Sequence, residues 1–174
     1  MRLAATALLL GVGLGFGGCS SDVCGGNEPT DQQNAPWVDN FWVLDLQIPG
    51  DPWTVLFGID FTDPNGDLGV GAAEFFLNAG TNPAVQPLVD AFRQSGVSPD
   101  ETRGSVWMAL RFSDTMDDGT EVSLGLQLVD GDDNRSNCYS LDLRFDVTPL
   151  ASAAGVPSMR IAANSPAHRC GERS

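Results

Sequence analysis

Three stretches in the second half of the chain place a large apolar residue at every second position. Val106, Met108, Leu110 and Phe112 hold one parity of the first, and Val122, Leu124, Leu126 and Leu128 hold one parity of the second. In the third, Tyr139, Leu141, Leu143, Phe145 and Val147 alternate with Asp142, Arg144 and Asp146. A period of two is the geometry of a β-strand with one face in a core and the other in water. A chain with several such strands must bury their apolar faces against one another, which directs it towards two antiparallel sheets packed face to face.

The first half follows the same rule. Trp53, Val55, Phe57, Ile59 and Phe61 alternate, Ala73, Phe75 and Leu77 oppose Glu74 and Asn78, and Phe41 to Ile48 is apolar on both parities, as in a strand covered on both sides. Turn chemistry separates the runs at Pro49-Gly50-Asp51-Pro52 and at Asp63-Pro64-Asn65-Gly66-Asp67, where Pro fixes φ and Gly tolerates a positive one. Asp114 to Thr120 and Asp130 to Asn137 read as two hairpins joining the last three strands. Between Gly80 and Arg103 the rhythm changes: Val85, Leu88, Val89 and Phe92 have helical spacing and Gly96 is a stop signal, so one short helical excursion is expected.

This pattern resembles the bacterial immunoglobulin-like sandwiches over Trp37 to Thr148, and Asp130-Gly131-Asp132-Asp133-Asn134-Arg135-Ser136-Asn137 looks like their final hairpin, with Asp133 where Gly commonly stands. A jelly roll or an open barrel gives similar alternation. The expected fold is mainly β, a single immunoglobulin-like antiparallel β-sandwich at 37–148 with one short helical insertion. Beyond Pro149, Ala, Ser, Pro and Gly dominate, and 149–174 reads as an irregular C-terminal tail.

The N-terminus sets an address. Arg2 precedes an apolar run from Leu3 to Phe16 that ends in Gly17-Gly18-Cys19. A positive residue, a short apolar run and small residues make a secretory signal, and the run falls short of the roughly 20 apolar residues of a membrane span. Gly18-Cys19 also resembles the end of the bacterial lipoprotein signal, with Phe16 standing where an aliphatic residue is usual. The resemblance implies cleavage before Cys19, a diacylglyceride on its sulfur and an acylated amino terminus, and Ser20 in place of Asp implies the outer membrane. Residues 1–18 are then a signal peptide and 19–36 a lipidated tether, too poor in apolar residues to order itself and able to hold the domain off the membrane. Simple secretion is the alternative address.

Acidic residues number 23 against 9 basic ones, and every basic residue is Arg. Such a chain repels phosphate backbones, so nucleic acid is not an expected partner, and attachment to a membrane falls to acyl chains on Cys19. Without Lys there is no Schiff-base nucleophile and no Walker-type phosphate clamp. The single His168 lies in the tail, two residues before Cys170. With Cys19 lipidated, Cys24, Cys138 and Cys170 are the disulfide candidates, giving one bridge and a spare thiol whose pairing spacing alone does not fix.

Acidic turns are the candidate metal ligands. Asp63, Asn65 and Asp67 alternate like the first ligands of an EF-hand loop and Glu74 falls at its twelfth position, but Leu68 occupies the sixth, where that loop needs Gly. Topology offers another route: in an immunoglobulin-like sandwich the loop after the second strand and the loop before the last share one end. Asp63, Asn65 and Asp67 would then approach Asp130, Asp132 and Asp133, a carboxylate cluster suited to Ca2+ or else a solvated acidic rim. Glu74, Glu101, Glu121 and Glu172 form no recognisable acid/base motif, so no catalytic residue is assigned. Trp107, on the polar parity of its strand, is a candidate for a face that binds a glycan or a protein, unless the helical excursion covers it.

The expected protein is therefore a lipid-anchored, non-catalytic component of the bacterial cell envelope, with a binding, adhesion or structural role and an acidic pole that either holds a stabilising Ca2+ or is a solvated rim. The alternatives are an envelope hydrolase that uses paired carboxylates and an accessory lipoprotein subunit of a larger envelope complex.

Overall fold

A computed structural model of the chain describes residues 21–26, 29, 33–44, 53–112, 117, 119–148, 158–163 and 168–169. The signal region, Cys19, Cys170 and the turn at 49–52 lie outside the described residues.

The strands β1 (Trp37–Leu44), β2 (Thr54–Thr62), β3 (Ala72–Leu77) and β4 (Ala84–Pro87) come first, followed by the helix α1 (Leu88–Ser95). Then come β5 (Arg103–Arg111), β6 (Thr120–Val129), β7 (Tyr139–Thr148), β8 (Ser158–Ala163) and β9 (His168–Arg169). They form two antiparallel sheets, one ordered β1-β2-β5 and the other β4-β3-β6-β7-β8, with β9 also on β7. The fold is a mainly β sandwich with one helix among the described residues, as the alternation requires.

The alternating residues point where their parity sends them. Val55, Phe57, Ile59 and Phe61 of β2 and Val106, Met108 and Leu110 of β5 face Phe75 of β3, Val122 to Leu128 of β6 and Leu141 to Phe145 of β7 across one core. Phe75 holds the two sheets together, its ring 6.3 Å from that of Phe41 and 6.2 Å from that of Phe57. Each such aromatic is worth about 1.5–3 kcal/mol by burial.

The helix closes one side of the sandwich. Leu88, Ala91 and Phe92 are buried, and the Phe92 ring lies 5.1 Å from that of Phe61. It stops at Gly96, whose φ of 70° suits a residue without Cβ, and the amide of Val97 donates to Phe92 O at 3.0 Å. Val85, placed with the helix by its spacing, belongs instead to β4, because Pro87 sets the start of α1.

Three expectations are corrected. Asp114 to Thr120 does not close a hairpin: β5 pairs with β2 and β6 pairs with β3 and β7, so the connection passes from one sheet to the other. Two alternating strands in succession fit either arrangement, and only the packing of the core chooses between them. The tail is not wholly irregular, since β8 and β9 add to β7 through backbone hydrogen bonds that need no apolar signature. The segment read as a tether is anchored near its start, where Ser21–Cys24 form a 3-10 turn and Cys24 is bonded to Cys138.

Candidate metal centre

Asp63 follows the last residue of β2, in the three-stranded sheet, and Asp130 follows the last residue of β6, in the six-stranded sheet. The two strands end at the same pole of the sandwich, so the loops that leave them meet. Asp67 enters from the loop between β2 and β3, just before a 3-10 turn at Leu68–Val70. One carboxylate oxygen from each of Asp63, Asp67 and Asp130 lies within 4.8 Å of the other two.

Two of the three carboxylates are held by their own loops. Asp63 Oδ2 accepts the amide of Leu68 at 2.8 Å, and the amide of Asp63 donates to Thr102 O at 2.8 Å. Asp130 Oδ1 accepts the amides of Asp132 and Asn134 at 3.0 and 2.8 Å, while its Oδ2 accepts Asn134 Nδ2 at 2.9 Å. This is the local Asx-turn chemistry that Asp supplies in loops. The left-handed φ of 65° at Asp133 lets the hairpin turn without a Gly.

The loops approach closely because glycines stand between them. A Cβ on Gly131 would lie 2.8 Å from Val70 Cγ2 and 3.1 Å from Asp67 Oδ2, and one on Gly71 would lie 2.0 Å from Val129 O. Gly71 admits no side chain unless the Val129 backbone moves, and Gly131 admits one only if the Val70 side chain gives way. The site is thus a junction of both sheets.

Its electrostatics are unfavourable as they stand. Asp63 is 0% and Asp130 3% exposed, and Asp63 Oδ1 and Asp67 Oδ1 are buried with no hydrogen-bond partner. Burial pushes the Asp63 carboxyl above its ordinary value of 3.8, against the lowering effect of the Leu68 amide. Burial also raises Asp67, and the negative charges of Asp130, Asp63 and Asp132 add to it. Orphaned buried carboxylate oxygens cost free energy that a cation returns.

Ca2+ binds oxygen at about 2.3–2.6 Å, which places two of its ligands no more than about 5 Å apart. The observed separation meets that limit. An all-carboxylate set with no Cys or His selects a hard cation over zinc. Asp63, Asp67 and Asp130 would hold the ion, which would offset most of their charge and tie the two sheets together at this pole.

Of the six metal candidates in the sequence, three come together. Asn65, Asp132 and Asp133 are exposed, with Asp132 near enough for its charge to act on Asp67. Glu74 sits elsewhere, in an ion pair with Arg135 on the outer face of the six-stranded sheet. Asn134, which fixes Asp130, is a supporting residue that the sequence reading passed over; its signal was only an Asx-rich turn.

Cys24 and Cys138 form the disulfide, and Cys170 lies outside the described residues. Trp107 is 37% exposed and stands in register with Gly58 and Trp42 across the outer face of the three-stranded sheet. Beside it a groove of about 220 Å³ is lined by Gln86, Asp90 and Gln94, so helix and Trp107 meet without the helix covering it. No family model matches the chain, nor does any curated protein or solved structure.

Proposed function

We propose that this is an exported, lipid-anchored, non-catalytic envelope protein whose immunoglobulin-like sandwich is stiffened by Ca2+ at Asp63, Asp67 and Asp130. The observation that carries the reading is the convergence of three carboxylates with two buried, unpartnered oxygens at the junction of the sheets. Export is supported by the disulfide, which persists in oxidising compartments, and by the secretory pattern ending at Cys19. A structural ion is favoured over carboxylate hydrolysis because Asp63 and Asp130 lie beneath their own loops, where a substrate does not reach them.

The strand order supports the immunoglobulin-like reading. The first, second and fifth strands share one sheet, and the third, sixth and seventh share the other, as A, B, E and C, F, G do in that fold. The binding surface on this reading is the Trp107 face, where an aromatic ring flanked by amide and carboxylate side chains suits a glycan or a protein partner.

The test is a calcium titration of the Cys19→Ser protein, freed of ions by chelator, followed by calorimetry and melting temperature. Saturable binding with a rise in melting temperature is expected in the micromolar to millimolar range of sensor and extracellular sites. No heat and no shift would remove the ion from the account.

A further inference from the structure

The chain's N-terminal turn is fastened to one particular face. On the six-stranded sheet, Ala73 and Phe75 of β3 and the residues from Val122 to Leu128 at every second position of β6 enter the core, so Glu74, Phe76, Gly125 and Gln127 face outward. The 3-10 turn at Ser21–Cys24 docks on this outer face. Val23 and Cys24 cover Phe76 and Cys138, and Gly125 makes the room, since a Cβ there would lie 2.7 Å from Val23 O. Cys24 is fully buried and covalently bonded to Cys138, so the attachment does not slide.

Cys19 precedes Ser21 by two residues and Cys24 by five. A chain spans at most about 3.6 Å per residue, so Cys19 lies within about 7 Å of Ser21 and about 18 Å of Cys24. Packed sheets are about 10 Å apart and strands about 4.8 Å apart. A path from Cys24 around the edge of the six-stranded sheet to the outer face of the other sheet is longer than that reach. A lipid on Cys19 therefore brings the six-stranded side, and not the Trp107 side, to the membrane.

Charge agrees with chain length. The protein carries a formal net charge of -14. On the outer face of the six-stranded sheet, however, Glu74 is paired with Arg135, Glu121 with Arg144 at 3.7 Å, and Asp146 stands opposite Arg160 in the β7–β8 register, so that Asp142 and Asp22 of the docked turn are the negative charges left over. Phe75 to Val89 contains no charged residue. Val85, opposite Glu74 in the β3–β4 register, is 58% exposed on this face, and Gly25 lies against Gly80 and Thr81 at its rim. The buried acidic trio sits at the pole where β2 and β6 end, away from this rim.

We propose that the outer face of the six-stranded sheet, around β3, β4 and the docked Val23–Gly26 segment, rests on a phospholipid surface. This rests on the lipidation of Cys19 in the reading above. The disulfide then acts as an orienting clamp, and the Trp107 face is presented away from the membrane.

Amide hydrogen exchange on the full-length lipoprotein in phosphatidylcholine vesicles tests this, against the Cys19→Ser protein mixed with the same vesicles. Expected are several-fold slower exchange in peptides covering 72–87 and unchanged exchange in peptides covering 103–111. Equal exchange in both proteins, or slowing confined to 103–111, overturns the proposal. The mass of the N-terminal peptide reports acylation separately. If no acyl group is found, the anchoring reading fails, and the comparison is repeated with Cys170→Ser protein coupled through Cys19 to a maleimide phospholipid. The same two outcomes then decide the orientation.

Discussion

Asn137 pairs with the backbone of Val38 as a neighbouring strand would. Its Oδ1 accepts the Val38 amide at 2.7 Å and its Nδ2 donates to Val38 O at 3.1 Å, with both residues fully buried. The pair links the start of β1, in one sheet, to the approach of β7, in the other, at the point where the β1–β2 register shifts between Val38 and Asn40. Truncation leaves a donor and an acceptor of Val38 buried and unmatched. Asn137→Ala is expected to lose about 2–4 kcal/mol in urea unfolding, and a loss within experimental error would show that water replaces the amide.

Asp67→Asn separates the two effects of the acidic trio. It removes one charge from three that repel, so in chelator the variant is expected to melt above the wild type. In saturating Ca2+ the order reverses, because the variant has lost a charged ligand. Melting curves of both proteins under both conditions read the result, and an unchanged order would argue against an ion at this pole.

The pH dependence follows from the same residues. Asp63 and Asp67 titrate above the ordinary 3.8 in the folded state, so without metal these two carboxyls bind more protons in the fold than in the unfolded chain. Their contribution is then present below 3.8 and is lost as pH rises through the raised values. Relative to Asp67→Asn, metal-free wild type is expected to become less stable as pH rises from about 4 to neutrality. The stabilisation by Ca2+ is expected to grow over the same interval, since protons and ion compete for these oxygens.

The disulfide closes a separation of 114 residues. Loop-closure entropy for a loop near that length is about 4.7 kcal/mol, and losses on removing a native bridge from a small secreted domain run at about 2–5 kcal/mol. Cys24→Ser is expected to fall in that range by urea unfolding. It is also expected to free Val23–Gly26 from the sheet, seen as faster amide exchange there and at Phe76.

Gly58 lies under the indole of Trp42, and a Cβ there would stand 2.2 Å from Trp42 Cζ2. Gly58→Ala is expected to push the ring off the sheet, at a cost of about 1–3 kcal/mol and with a red shift of tryptophan emission. Retained emission would mean that β1 moves instead.

The alternating residues of β2, β5, β6 and β7 determined their strands by themselves, because a period of two allows one buried face whatever the neighbour. Gly96 likewise marked the helix stop, since a left-handed residue is a local property of the chain. The placement of Asp67 beside Asp130 was legible only through topology: once two turns were assigned to one end of a sandwich, their acids had to approach.

What the sequence left open is of another kind. Val106 to Leu110 alternates identically whether β5 pairs with β6 or with β2, and the choice belongs to how two faces fill one core. The spacing of Cys24, Cys138 and Cys170 carries no information on pairing; the seat of Val23 over Gly125 supplied it. Asp132 and Asp133 differ from Asp63 and Asp130 only in which way their loops turn, a matter of backbone hydrogen bonds from Leu68 and Asn134. Composition and period are written residue by residue, whereas partner choice and burial depend on residues far along the chain, and only the folded structure brings those together.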